Sequence, residues 1–584
     1  MSLNPHRNLY FVKGNLAVEY DIEFHNVTFT YEDASAPALV EINLKIKPGE
    51  TILITGPSGS GKTTLVSCLI GLVPHFHEGH LQGEIKVLQR NIRRTRIGVM
   101  ASRVGLVFQD PESQLVTATV LDEIAFGPEN LGIVRHEIDE RVRDAIKVAR
   151  LEGYENREPV NLSGGEQQAT AIAAIYAMHP EIYVMDEPTS NLDPLGTKQV
   201  LSLIVDIAKK RGKTLVLVEH KLEEVLPLVD RVIVMNKGRI VRDGSVPEVM
   251  AQGDIPGVFT RPPIVQLATH LELSDSPLTA DQIQPMLTAR LKPVQGAPVP
   301  PPNHLQPEGE SVIEVSEVWY AYGKDAPALR GVNLNVRQGE FVAILGRNGS
   351  GKTTLVRHLM GLTQPDQGNI TVLGKPVAQT SIMELAQRVG FCFQNPNHQM
   401  VSFYVKEELA FGMKVRNYSA EQIAQISQEA LAFVGMSDYM EAEVLSLGKG
   451  LVQRLALASI LTLQPDILIV DEPATGQDPH MTLEIFELIK RLNDQGKTIL
   501  LVTHKFDIAA RYASRAVVMN RGQVTYDGPF SEIVPQRAFL HENSLDQPEI
   551  TYLATRLAPY GIPPWIVSVD QMVAQLDGMV RQPE

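Results

Sequence analysis

Residues 51–64 read "TILITGPSGSGKTT". The opening "TILIT" is an apolar, β-branched run of strand length, and the residues after Thr63 resume a helical pattern. Between them Gly56 to Thr63 fit G-x-x-x-x-G-K-[ST], through Gly56, Ser58, Gly59, Ser60, Gly61, Lys62, Thr63 and the adjoining Thr64. Glycines in such a loop let consecutive N–H groups curl around an anion. The helix that follows turns its positive end, about half a unit charge, toward the same point. A strand, a phosphate-cradling loop and a helix in that order predict an α/β fold built on a parallel sheet. Lys62 would reach the β and γ phosphates of a nucleotide, and Thr63 would offer its hydroxyl to Mg²⁺.

The same signal recurs at 341–354 as "FVAILGRNGSGKTT", which supplies Gly346, Asn348, Gly349, Ser350, Gly351, Lys352, Thr353 and Thr354. Other landmarks repeat in the same order. "VGLVFQDPESQ" answers to "VGFCFQNPNHQ", "IYVMDEPTSNLDP" to "ILIVDEPATGQDP", and "TLVLVEHKLEEV" to "TILLVTHKFDIA". Lys62 and Lys352 stand 290 positions apart, and Asp186 and Asp471 stand 285 apart. A period of that size means two whole domains and excludes a solenoid of short repeats. The boundaries read as an N-terminal extension over 1–17, a first domain over 18–258 with a helical tail over 259–292, a Pro-rich linker over 293–311, a second domain over 312–541, and a C-terminal helical tail over 542–584. The tails have the apolar spacing of short amphipathic helices, packed on the parent domain or on each other.

Asp186 and Asp471 each follow four apolar residues, which places them at the C-terminal end of a buried strand, where α/β sheets collect ligands. There each can hold Mg²⁺. The adjacent Glu187 and Glu472 are suited to take a proton from an attacking water. His220 and His504 close further apolar strands and could sense a γ-phosphate, while Gln109 and Gln394 end strands where an amide reaches both metal and water.

With these residues in order, the chain resembles ATP-binding cassette ATPases over nearly its whole length. The resemblance implies two P-loop NTPase (RecA-like) cores in tandem, each with an antiparallel β subdomain and a helical subdomain. It implies ATP and Mg²⁺ as cofactors, and Tyr31 and Tyr322 as the aromatic residues that stack on adenine. It also implies head-to-tail pairing of the two halves within one chain. Each ATP would then lie between one half's P-loop and the other half's signature, with the D-loops around Asp193 and Asp478 nearby. The segments "FQDPESQLVTATVLDEIAFGPENLG" and "FQNPNHQMVSFYVKEELAFGMKVRN" look like those of energy-coupling-factor importer ATPases, which serve vitamin, thiamine-precursor or Co²⁺/Ni²⁺ uptake. That narrower resemblance implies two partners, a transmembrane coupling protein and a substrate-binding membrane protein, and a cytoplasmic chain on the inner face of the membrane.

The first signature is "LSGGEQQ", with Ser163, Gly164, Gly165 and Glu166. Counting back 23 residues from each aspartate pairs Ser163 with Gly448, Gly164 with Lys449 and Gly165 with Gly450. The second signature is therefore degenerate, "LGKG", and the more visible "LS" at Leu445 and Ser446 would need a two-residue insertion. Gly448 has no hydroxyl for the γ-phosphate. Losing one such donor costs on the order of 10²-fold in rate, part of which the charge of Lys449 would offset. The two ATP sites are expected to be unequal, the one pairing Lys352, Glu472 and His504 with the first signature being faster.

Composition agrees with a peripheral motor. The formal net charge is −15, which makes the chain a poor general binder of nucleic acid. No apolar run approaches the roughly 20 residues of a membrane span, and the first 20 residues lack the pattern of a secretory signal. Cys68 and Cys392 lie in apolar stretches and read as inert core thiols. His75, His77 and His80 in "PHFHEGH" lack metal-ligand spacing and read as a solvated loop. Two other functions fit less of the chain. A tandem sugar-importer ATPase lacks the segment after Gln109, and a ribosome-associated ABC-F factor carries a long charged helical linker where this chain is Pro-rich.

Overall fold

The computed structural model describes residues 20–190, 192–273, 276–294, 309–323, 327–474 and 477–580. The extension over 1–17 and most of the Pro-rich linker lie outside the described residues.

Each half holds two sheets. In the first half Leu39–Ile46, Ile22–Tyr31, Gly79–Val87 and Arg90–Asn91 form an antiparallel sheet in that spatial order. A six-stranded sheet runs Arg239–Ser245, Arg231–Asn236, Thr51–Thr55, Thr214–Val218, Ile182–Asp186, Val104–Val107, all parallel except the first pair. The second half repeats both, with Phe341–Leu345 between Thr498–Thr503 and Arg515–Asn520, and Ile467–Asp471 beside Val389–Cys392. Burial explains the composition of these strands. Every residue of Thr51–Thr55, Thr214–Val218 and Ile182–Asp186 is buried, as a parallel sheet covered on both faces requires. Strand Ile22–Tyr31 instead alternates buried and partly exposed positions, as expected for a sheet with one face on the core.

Helices Val120–Asn130, Arg135–Ala149 and Gly164–Ala177 form a separate helical lobe, repeated as Val405–Val415, Ala420–Phe433 and Lys449–Leu461. The tails pack on each other. Helices Pro263–His270 and Ala280–Thr288 meet Glu549–Leu557 and Val569–Val580 around a core of their own that includes Leu267, Ile283, Leu287, Leu553, Leu557 and Leu576. Burying each such side chain contributes roughly 1.5–3 kcal/mol. Polar contacts fasten the rim, with the Ala280 amide donating to Glu549 at 2.6 Å and His270 facing Asp577 at 3.1 Å. Among the described residues no helix is long and apolar enough to cross a membrane.

Candidate functional site

Parallel register gathers the first set of residues. Because Thr51–Thr55, Thr214–Val218, Ile182–Asp186 and Val104–Val107 run the same way, the residues just after them emerge along one edge: Gly56, His220, Glu187 and Gln109. The loop at Gly56 needs glycine. Its φ is 141°, and a Cβ there would lie 2.1 Å from the Met235 carbonyl oxygen; Gly346 repeats this at φ 148° and 2.2 Å from Met519.

Lys62 sits inside the loop, its ammonium donating to the carbonyls of Gly56 at 2.9 Å and Pro57 at 2.8 Å. An ammonium has three donors, so one remains for a ligand. Lys352 does the same to Gly346 at 2.7 Å and Arg347 at 3.0 Å. Burial lowers the pKa of both lysines, opposed by the facing carboxylates Glu187 and Asp186 in one half and Glu472 and Asp471 in the other. The helices that begin at Lys62 and Lys352 have no side-chain cap on their first N–H groups, which leaves those donors for an anion.

Asp186 and Thr63 share a hydrogen bond, as do Thr353 and Asp471 at 3.1 Å. Burial pushes both aspartates up to about 6, aided by the neighbouring glutamates. The buried Oδ1 of Asp186 has no hydrogen-bond partner, nor do the hydroxyls of Ser60 and Ser350. Orphaned carboxylate and hydroxyl oxygens beside a phosphate cradle fit a hard cation such as Mg²⁺, which takes oxygen ligands.

Glu187 and Glu472 both adopt φ 47°, a left-handed backbone uncommon for a side chain that size, so each turns away from the preceding aspartate. Their partners differ. Glu187 accepts from Gln109 at 2.7 Å and faces His220 at 3.0 Å. Glu472 faces His504 at 2.8 Å and accepts from the Thr503 hydroxyl at 3.2 Å. Burial works to raise the Glu472 carboxyl, but His504, Lys352 and Thr503 together hold the group below its usual range. Gln394 is exposed, two residues past strand Val389–Cys392, which lies beside Ile467–Asp471.

The halves touch at these loops. Asp478 accepts from the Ser58 amide at 3.1 Å, and a crevice beside Gly56 and Pro57 is lined by His220 together with Asp478, Pro479 and His480. Tyr31 and Tyr322 lie over their own loops, their hydroxyls 2.9 Å and 3.4 Å from Thr64 and Thr354.

Compared with known proteins, the chain matches the ABC transporter family over residues 39–190 and 329–475. An ABC transporter ATP-binding protein of Caldanaerobacter subterraneus subsp. tengcongensis is 38% identical, covering 95% of this chain and 98% of that one. The chain belongs to the ABC transporter ATPase family. Another ATP-binding protein of that name, from Methanosarcina acetivorans, is 38% identical over 93% of this ATPase and 91% of its own length. A solved chain, cbiO1 from Clostridium perfringens, described as part of the ABC transporter complex cbiONQ, is 32% identical over 42% of this ATPase and 98% of its own length, at a TM-score of 0.38. The protein is an ATPase with two tandem ATP-binding domains.

The signature helices of the ATPase start in the same backbone conformation. Ser163 has φ −64° and ψ 155°, and Gly448 has φ −65° and ψ 155°, each just before a helix. Ser446 falls instead in the short turn Val444–Ser446, so Gly448 takes the place of Ser163. The Ser163 amide and hydroxyl both donate to Glu166, at 2.8 and 2.7 Å. At the second helix the corresponding residue is Leu451, and neither bond can form. Ser163 and Gly448 are exposed, Gly164 and Gly165 half-buried, and Gly450 buried; the side chain of Lys449 lies outside the described residues.

The three histidines are exposed, as a solvated loop requires, but only His77 lies between elements. His75 ends the short helix Leu72–His75 and bonds the Ile92 carbonyl at 2.9 Å, His77 meets Tyr31 edge-on, and His80 lies in strand Gly79–Val87 and faces Gln82 at 3.1 Å. Both cysteines are buried, and burial pushes both thiols up, Cys392 to about 12.

Four residues of the site escaped sequence reasoning: Thr189, Glu219, Lys221 and Thr503. A signal existed, because Glu219 answers to Thr503 immediately before matched histidines, and Thr189 answers to Ala474.

Proposed function

We propose that this ATPase is the energy-coupling subunit of a membrane importer of the energy-coupling-factor type, serving uptake of a vitamin, a thiamine precursor or Co²⁺/Ni²⁺. It sits on the cytoplasmic face of the membrane and binds a transmembrane coupling protein accompanied by a substrate-binding membrane protein. One observation carries the reading. The segments that follow Gln109 and Gln394 expose large apolar side chains in matched places, Val116 at 67% and Phe126 at 48% in the first half, and Val401 at 62% and Phe411 at 54% in the second. Paired apolar patches of this kind mark docking surfaces, and two of them, one per half, suit two helices of one membrane partner.

In the same reading Lys62 and Lys352 hold the β and γ phosphates, and Tyr31 and Tyr322 stack on the purine. Mg²⁺, which would neutralise phosphate charge when bound, would be held by Thr63, Asp186 and Gln109, and in the other half by Thr353, Asp471 and Gln394. Glu187 and Glu472 take the proton of the attacking water, oriented by His220 and His504. Each nucleotide is closed over by the opposite signature, and the site closed by Gly448, Lys449 and Gly450 turns over more slowly.

Affinity purification of the tagged protein from detergent-solubilised membranes of its own cell tests the importer. A polytopic coupling protein arriving with a small substrate-binding membrane protein is the expected result, lost on F126R/F411R. Recovery with ribosomes and no membrane protein would overturn it.

A further inference from the structure

Glu219 is only 2% exposed, yet it carries a carboxylate. A buried carboxylate is tolerated only where hydrogen bonds replace water, and all of its bonds go to two places. Oε1 accepts from the amide and hydroxyl of Thr189, at 3.0 and 2.6 Å, and Oε2 accepts from the amide of His220 at 3.1 Å. Thr189 opens the loop that leads from Glu187 to Asp193. Lys221 grips the same loop, donating to the Thr189 carbonyl at 2.9 Å and the Thr197 hydroxyl at 2.7 Å. Glu219 and Lys221 thus hold residues 189–197 from both sides of His220.

The second half is built differently at both ends of this link. Thr503 replaces the carboxylate and Ala474 replaces the hydroxyl. The Thr503 hydroxyl bonds Glu472 at 3.2 Å, and among the described residues the loop is held by Lys505 on the Ala474 carbonyl at 3.1 Å. Both loops face the opposite half. Asp478 bonds the Ser58 amide in the first P-loop, and the charge of Asp193 acts on Lys352 in the second.

We propose that Glu219 is a positioning residue that ties His220, beside the first nucleotide, to the loop carrying Asp193 toward the second nucleotide. The inference rests on the reading of the P-loops as ATP sites. A shift of His220 drags its amide, and Glu219 cannot let go without leaving a buried charge unpaired, so Thr189 follows it. Among the described residues the Thr503 hydroxyl makes no such bond between His504 and the loop that carries Asp478. One residue behind the first site therefore sets geometry at the second, and among the described residues the other half, with Thr503 and Ala474, has no matching link.

Double-mutant cycles on the full chain, read as kcat/KM for MgATP, test this. E219T alone is expected to lower kcat about tenfold with KM within twofold, and E219Q, whose oxygen still accepts from Thr189 but whose NH2 group cannot accept from the His220 amide, should lower it by at least about threefold. The cycle E219T with D193N should show a coupling factor of at least about threefold, and T503A with D478N a factor nearer one. If E219T lowers the melting midpoint, the near-isosteric E219Q, which loses the acceptor for the His220 amide, takes its place with the same threshold. A first cycle below threefold, or two equal cycles, overturns the proposal. K62A/K352A separates this from the underlying reading, because MgATP hydrolysis that survives that variant would show that the P-loops are not the ATP sites.

Discussion

The two glutamates that follow the strand-end aspartates sit on the same backbone, at the same φ, in two copies of the same sheet, and their surroundings differ. Glu187 is half-buried and shared between Gln109 and His220, while Glu472 is buried and held by His504 and Thr503. The opposite signatures differ as well, Ser163 locked by Glu166 in one and Gly448 bare in the other. Duplication kept what the sheet needs for folding and let the groups around each reacting centre drift. Equal frames therefore do not imply equal sites.

The sharpest way to break this comparison is to remove each glutamate in turn. Glu472→Gln is expected to cut ATP turnover by about 10²-fold or more, the range for loss of a general base, and Glu187→Gln distinctly less. Equal losses in steady-state hydrolysis would end the idea of unequal sites.

Restoring the degenerate signature sharpens it. Serine alone is expected to be insufficient, because the Ser163 hydroxyl donates to Glu166 and the second helix has Leu451 at that place. The triple variant G448S/K449G/L451E is expected to raise turnover of the slower site, measured in the Glu472→Gln background, by about tenfold. G448S alone should give less.

A pH series probes what the halves share. Asp186 and Asp471 are both raised to about 6 by burial, so each is an ion at pH 7 and neutral at pH 5. In the metal-free protein their raised pKa favours the fold at low pH, and that contribution is lost as pH rises through about 6. Metal binding needs the ionised form. The rise in Tm given by MgATP is therefore expected to be larger at pH 7.5 than at pH 5, with ATPase activity falling below about pH 6. D186N should flatten one half of that response.

The smallest catalytic effect is expected at the tails, away from both P-loops. Leu553→Ala opens a cavity in the shared tail core and should cost about 2–5 kcal/mol of tail stability, seen as an early melting step with hydrolysis per site unchanged.

Much of the site was legible because its residues are tied to strand ends. A run of buried apolar residues fixes where Asp186 and Asp471 emerge, and glycine is the only residue that fits at Gly56 and Gly346. The register of Gly448 was legible too, since the spacing from signature to strand-end aspartate is 23 residues in both halves. Less legible were contacts made by side chains distant in sequence. Gln109 was read as reaching metal and water, and the structure sets its amide on Glu187. Glu219 carries no local signal of its role, which rests on its burial and its bonds to Thr189.

The sequence by itself determined two tandem α/β domains, their phosphate loops, their strand-end acids and the loss of one signature, because backbone geometry and local spacing dictate these. Only the tertiary structure decided that the two tails share one core, that Asp478 reaches the P-loop of the other half, and that Glu219 links His220 to Thr189. Those contacts join residues whose proximity depends on how sheets and halves pack, and packing is set by the summed burial of the whole chain rather than by any local pattern.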